Sequence, residues 1–316
     1  MKLPELRIGN LIARLPIIQG GMAVRISTSR LAAAVANEGG IGIIAITGMS
    51  VEELKAEIRK ARELTKGIIG VNCLFAVRDF ATLVKAAIQE GIDLVVSGAG
   101  FSRDMFQWGK ESNTPIVPIV SSARLAKIAE KLGAAAVVVE GKEAGGHLGT
   151  TEPMKKILPE VRAAVSIPVI AAGGIIDGRD IVEAFKLGAN GVQMGTRFAA
   201  SEESGASREF KELYLRVALE DVVLVKSPVG LPGRALKNRF WERMNQGEDL
   251  SPDNCRACLK HCSGDYCIME ALEKAQQGDM ENGLVFSGEL VQKIKEILPV
   301  KKIFQNLLQE IETCPG

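Results

Sequence analysis

What most constrains this chain is a rhythm. Up to about residue 198, eight short runs rich in Val, Ile and Ala recur, each ending in Gly or a polar residue and followed by a stretch with helical periodicity. The runs are PIIQGGM (16–22), GIGIIAITG (40–48), GIIGVNCLF (67–75), DLVVSGAG (93–100), PIVPIV (115–120), AAVVVEG (135–141), IPVIAAGG (167–174) and GVQMGTRF (191–198). Amphipathic stretches such as VEELKAEIRKARELT and SARLAKIAEKLG lie between them. Near-continuous apolar strands need burial on both faces, which parallel strands covered by helices provide. Eight such units close a TIM (β/α)8 barrel. A doubly wound open sheet is the alternative, but it calls for an early G-x-G-x-x-G phosphate loop, and the first turn here reads QGGMAVRIS.

Beyond residue 198 the rhythm breaks. A helical SREFKELYLRVALE leads into SPVGLPGRALKNRF, then a cysteine-rich segment, then GELVQKIKEILPVKKIFQNLLQEI, read as one long amphipathic helix or a pair broken at Pro299. The expected division is a barrel over residues 1–222, a mostly helical insertion after strand eight over 223–283, and a C-terminal helical region over 284–316 that packs on the barrel. With 316 residues, 47% of them hydrophobic, the chain can bury a large core. Thirty-nine Lys and Arg against thirty-eight Asp and Glu argue against nucleic acid as a partner. No apolar run reaches the roughly 18 residues that span a bilayer, and MKLPELRIGN lacks a signal layout, so no membrane association and a cytoplasmic location are expected.

In such barrels the active site forms at the C-terminal ends of the strands, with phosphate held after strands seven and eight. Gly173 and Gly174 end strand seven, and Gln193, Met194, Gly195 and Thr196 end strand eight. Glycines there let backbone N–H groups approach an anion closely. They also serve plain tight turns, but their adjacency favours phosphate. His147 follows strand six behind Gly145-Gly146, which leaves the backbone open to a flat ligand beneath an imidazole. The other strand ends offer mostly neutral groups, a set poorly suited to metal hydrolysis or glycoside cleavage and well suited to an organic cofactor with a phosphate tail. A non-redox barrel binding a phosphorylated metabolite, with His147 as base, is the competing class.

The runs PIIQGGM (16–22), GVN (70–72), EGKEAGGHLG (140–149), PVIAAGGI (168–175) and GVQMGTRF (191–198) resemble, in order and spacing, the FMN-dependent barrel enzymes that include nitronate monooxygenase (2-nitropropane dioxygenase) and flavin-dependent enoyl-ACP reductase II. The likeness covers about 1–240 and resumes near 284–312. It implies an FMN oxidoreductase, foremost of the nitronate monooxygenase type, with an NAD(P)H-dependent enoyl or quinone-type reductase as the runner-up. The implied flavin contacts are Met22, Asn72, Glu140, Gly145, Gly173, Gly174 and Gln193 through Thr196. His147 matches the active-site histidine. Nitronate, enoyl thioester or quinone would be the small-molecule substrate, NAD(P)H a candidate donor and a homodimer a candidate assembly. The monooxygenases often carry Gln where Glu140 stands.

Cys255, Cys258, Cys262 and Cys267 are spaced C-x2-C-x3-C-x4-C. Plain members of either branch lack this feature. Four thiolates so close can ligate an iron–sulfur cluster or a zinc ion. Free or disulfide-paired thiols pinning a loop are the third reading, and His261 inside the segment reads as a solvent-facing residue.

Overall fold

In the computed structural model, which describes residues 1–314, each apolar run supplies one parallel strand. They are Ile17–Gln19, Gly42–Ala45, Ile69–Leu74, Leu94–Gly98, Ile116–Val120, Val137–Glu140, Val169–Ala172 and Gly191–Met194. Each pairs with its sequence neighbour, and the last returns to the first. Closure is completed by Gln19 N–H donating to Ile41 O and Ile41 N–H to Ile17 O, both at 3.0 Å. The chain is a TIM barrel.

Strand alternation divides the apolar side chains into two layers. Ile18, Ile43, Val96, Val117, Val138 and Ile170 fill the barrel, whereas Ile17, Ile44, Val95, Val137, Val169 and Val192 face the helices. A hairpin of Leu6–Ile8 against Leu11–Ala13 plugs the N-terminal end of the barrel. Leu6, Ile8 and Ala13 join the interior cluster, with Leu6 against Gly191 and Gly9 against Pro115 at the starts of strands eight and five.

Helix starts follow their caps: Ser50, Ser102 and Ser122 each accept an N–H three residues on, and Asp177 with Asp180 forms a capping box. Seven helices follow strands in order, ending with Gly178–Lys186. The eighth outer position is filled from the far end of the chain by Val300–Thr313, which starts directly after Pro299. That helix packs on Ser29–Asn37 and Gly178–Lys186, burying Phe304, Leu307 and Ile311, and Gly178 N–H donates to Glu310 Oε2 at 2.6 Å.

The region between departs from the mostly helical insertion expected for 223–283. Val222–Lys226 and Pro232–Leu236 form an antiparallel hairpin, and only the helices Arg239–Asn245 and Ile268–Gln277 follow before residue 283. The Val222-Val223-Leu224-Val225 run has the β-branched character that strands favour, and Gly247, Pro252 and Gly264 leave the cysteine stretch irregular. The hairpin reaches back to the barrel, pairing Gly233 with His147 and Arg234 with Gly146. No helix among the described residues is long and apolar enough to cross a membrane.

Candidate flavin site at the barrel mouth

One cavity opens at the C-terminal mouth of the barrel, opposite the plug. Met22, Asn72 and Glu140 line it from the ends of strands one, three and six, and Gly145 and His147 from the loop beyond strand six. Gly173, Gly174, Gln193, Gly195 and Thr196 complete it from strands seven and eight. The side chain of Met194 is elsewhere: it is buried in the layer between strands and helices, because alternation turns it away from its neighbour Gln193. Only its carbonyl serves here, accepting from Gly20 N–H at 2.9 Å.

The glycines are needed for different reasons. Gly173 and Gly174 have φ of +94° and +71°, a region in which a Cβ is costly. Gly21 makes room instead, since a Cβ there would stand 2.3 Å from Asn72 Cβ. Among the described residues, no Lys or Arg lines the cavity. Arg197, the nearest in sequence, turns its guanidinium to the carbonyls of Ala200 and Glu296, both at 2.8 Å. An anion would therefore be held by backbone N–H groups and the Thr196 hydroxyl, which accepts from Gly288 N–H at 3.0 Å and keeps its own proton to donate.

Gln193 Oε1 is buried without a hydrogen-bond partner. An unpaired buried acceptor costs about 1–3 kcal/mol, a cost removed by a ligand N–H placed in the cavity. Together with the glycine cradle, this acceptor fits a flat heterocycle carrying a phosphate.

His147 sits on the two-residue strand Gly146–His147, and Gly146, with φ +77°, turns the chain into it. The imidazole Nε2 lies 2.7 Å from Ser227 Oγ, and its ring meets the edge of Phe286 at 5.2 Å between centroids. Burial lowers its pKa to about 4, so the ring is neutral at pH 7. Burial also raises the Glu140 carboxyl to about 8, leaving it mostly protonated at the same pH. Ser227 and Phe286 were missed by sequence reasoning, which weighed residues at strand ends. Ser227 does stand directly before PVGLPG (228–233), but a serine beside a turn carries no chemical signature of its own. The Tyr266 hydroxyl, from the cysteine segment, donates to Lys226 O beside it at 3.1 Å.

The four cysteines line a single separate pocket, with Cys255 and Cys262 exposed and Cys258 and Cys267 half-buried. All four are free thiols. Among the described residues, no three His, Cys, Asp or Glu side chains stand close enough to hold one metal ion, so the structure does not support the iron–sulfur or zinc ligation that the spacing of Cys255, Cys258, Cys262 and Cys267 suggested.

Residues 6–310 match the nitronate monooxygenase family. A Mycobacterium tuberculosis (3aS,4S,5R,7aS)-5-hydroxy-7a-methyl-1-oxo-octahydro-1H-indene-4-carboxyl-CoA dehydrogenase is 35% identical over 235 residues, covering 73% of this chain. The match spans 66% of that relative's own length. A probable nitronate monooxygenase of Staphylococcus aureus strain Newman is 31% identical over 94% of each chain. The solved structure of FabK from Thermotoga maritima superposes with a TM-score of 0.84 at 36% identity, covering 95% of this chain and 93% of that one. Matched across its barrel, its mouth and its closing helix, this chain belongs to the nitronate monooxygenase family.

Proposed function

We propose that this chain is an FMN-dependent oxidoreductase of the nitronate monooxygenase type. Backbone N–H groups at Gly173, Gly174 and Gly195 with the Thr196 hydroxyl would hold the phosphate, and Met22, Asn72, Glu140, Gly145 and Gln193 would surround the ring system. When bound, FMN supplies a centre that accepts electrons from substrate and returns them to an oxidant.

The observation that carries the choice of substrate is the state of His147. An imidazole with a pKa near 4 is a weak base at neutral pH, poorly matched to pulling a proton from a neutral carbon acid. A nitronate is already deprotonated and needs only to be oriented. Ser227 fixes the direction of the ring and Phe286 packs against it, so His147 presents one polar edge to the cavity in a fixed pose. The ring edge of Phe286 beside it would limit the water that competes for that edge.

A second reading, an NAD(P)H-dependent reductase of an enoyl thioester or quinone, is favoured by the 36% identity to FabK and by the protonated Glu140, a carboxyl that can give up a proton inside the cavity. An anaerobic absorbance spectrum of the purified protein, followed by separate additions of a nitronate, NADH and NADPH, tests both. Bleaching of a flavin spectrum by nitronate alone supports the first reading, and bleaching by nicotinamide supports the second. Failure to bind FMN on reconstitution overturns both and leaves a non-redox barrel.

A further inference from the structure

We propose that Leu259, Ile268, Met269 and Leu272, all from the segment that follows the hairpin, form the wall against which the substrate's chain lies, and that this wall selects an uncharged apolar chain of several carbons over a charged one. The inference rests on the flavin and nitronate reading above and names the kind of nitronate the site takes.

The mouth of the barrel has two unlike ends. Strands seven and eight bring the glycine turns and Thr196, the end assigned to phosphate. In the closed order of eight strands, strands three and four stand opposite those two. There the lining is Leu74 from strand three, Gly98 and Ala99 at the end of strand four and Ile119 from strand five. The four wall residues line the same cavity, and two contacts place them on that side. Leu259 bridges to Val77 in the loop after strand three, and a Cβ on Gly48, just past strand two, would collide with the Met269 methyl. A flavin held by its phosphate at the far end would leave this end to the second reactant.

Helical spacing makes three of the four a single surface. Ile268, Met269 and Leu272 fall on one face of the helix Ile268–Gln277, the first and last four residues apart. Like Leu259, all three are buried.

The wall is also tied to the turn that orients His147. Val229, which lines the cavity too, donates its N–H to Ser227 Oγ at 3.4 Å, and Ser227 is the partner of the imidazole. Ser263 N–H donates to Pro228 O at 3.1 Å, which joins the irregular stretch carrying Leu259 to the same turn. The helix is held from outside: Glu273 pairs with Arg25 at 3.2 Å and Arg256 at 2.7 Å, and Leu284 N–H donates to Ala271 O at 2.9 Å. A chain extending from a nitronate oriented by His147 would therefore meet a preformed apolar surface. Each methylene buried there should gain roughly fourfold, the equivalent of about 0.8 kcal/mol. A carboxylate pressed against the same side chains would lose its water with nothing in exchange.

The test uses the full-length protein reconstituted with FMN. Values of kcat/KM are measured for the nitronates of nitroethane, 1-nitropropane, 1-nitrobutane and 1-nitropentane, and of 4-nitrobutyrate, which is close in size to the last but ends in a carboxylate. Thermal-shift titration with the neutral 1-nitroalkanes gives affinities without turnover. Both readouts should rise roughly fourfold per methylene, and 4-nitrobutyrate should fall at least tenfold below 1-nitropentane. Leu272→Phe, which fills the space, should lower the pentyl-to-ethyl ratio, and Leu272→Ala should move the best chain length upward, with flavin retained in both. A uniform loss on all substrates in both variants would make Leu272 merely structural and overturn its part in selection. In wild-type protein that binds FMN and oxidises nitroethane nitronate, no dependence on chain length, or a preference for 4-nitrobutyrate, overturns the wall. Affinity that rises with chain length in FMN-loaded protein that oxidises no nitronate keeps the wall and overturns the nitronate reading. Protein that binds no FMN overturns both.

Discussion

His147 Nε2 and Ser227 Oγ stand 2.7 Å apart although eighty residues separate them in sequence. The hairpin that carries Ser227 also pairs its second strand with His147, through Gly233. The backbone of His147 is thus held by the hairpin's second strand and its ring by the hairpin's serine. Removing the Ser227 hydroxyl leaves a ring nitrogen unpaired in a buried setting, worth about 1–3 kcal/mol. Ser227→Ala should lower turnover by roughly tenfold or more with flavin content unchanged, and Ser227→Thr should recover most of the loss. Equal activity in Ser227→Ala and wild type would show that the contact does not position the ring.

His147→Ala should leave FMN bound while cutting turnover further than Ser227→Ala does, since the anion and ring contacts lie on other strands. Flavin lost from a folded variant, read by circular dichroism and absorbance together, would contradict that division of roles.

Glu140 and His147 give the flavin-free protein opposing pH responses. The Glu140 pKa is raised to about 8 when folded, against an ordinary value of about 4.3. The folded state thus keeps a proton that the unfolded state loses, and this contribution to stability, full at low pH, falls as pH climbs toward 8. His147, lowered to about 4 from an ordinary value of about 6.5, behaves in the other sense: its contribution is full above that value and is lost as pH falls toward 4. In Glu140→Gln the first response is removed. Its melting temperature relative to wild type should rise between pH 5 and pH 8.5, and a constant difference would show that Glu140 ionises freely in the cavity.

Gly174→Ala places a Cβ at φ +71°, 3.2 Å from the Glu143 side chain, a strain of about 1 kcal/mol or more. FMN affinity should fall severalfold in equilibrium titration while the far-ultraviolet dichroism of the barrel is kept.

Neighbouring residues on strand eight should respond differently. Met194→Leu conserves volume in the core and should not change FMN affinity. Gln193→Leu removes the unpaired acceptor and should weaken FMN by roughly tenfold, in line with about 1–3 kcal/mol for one buried partner. Similar effects at both positions would contradict the facing assigned to them.

The barrel was legible because its signal is repeated: eight buried strands cannot hide their apolar runs, and glycines at the ends of strands seven and eight mark where a backbone turns toward a ligand. The cavity lining followed from position along those strands, with Met194 as the exception, since motif resemblance names residues without saying which way alternate side chains point. The hairpin at 222–236 was illegible for another reason. Its partner strand is Gly146–His147, far away in sequence, and no local pattern announces a pairing of that range. Ser227 was hidden with it. The cysteine spacing was plain, but whether four thiols meet at a point or spread around a space depends on the path of an irregular loop.

The hairpin Leu6–Ile8 with Leu11–Ala13, seated in the base of the barrel, makes the cavity a blind alley. For the reaction proposed above, electron donor and acceptor would both have to enter from the mouth side, so a bulky donor and a bulky acceptor would be expected to compete, a pattern that initial-rate kinetics with both varied reads directly.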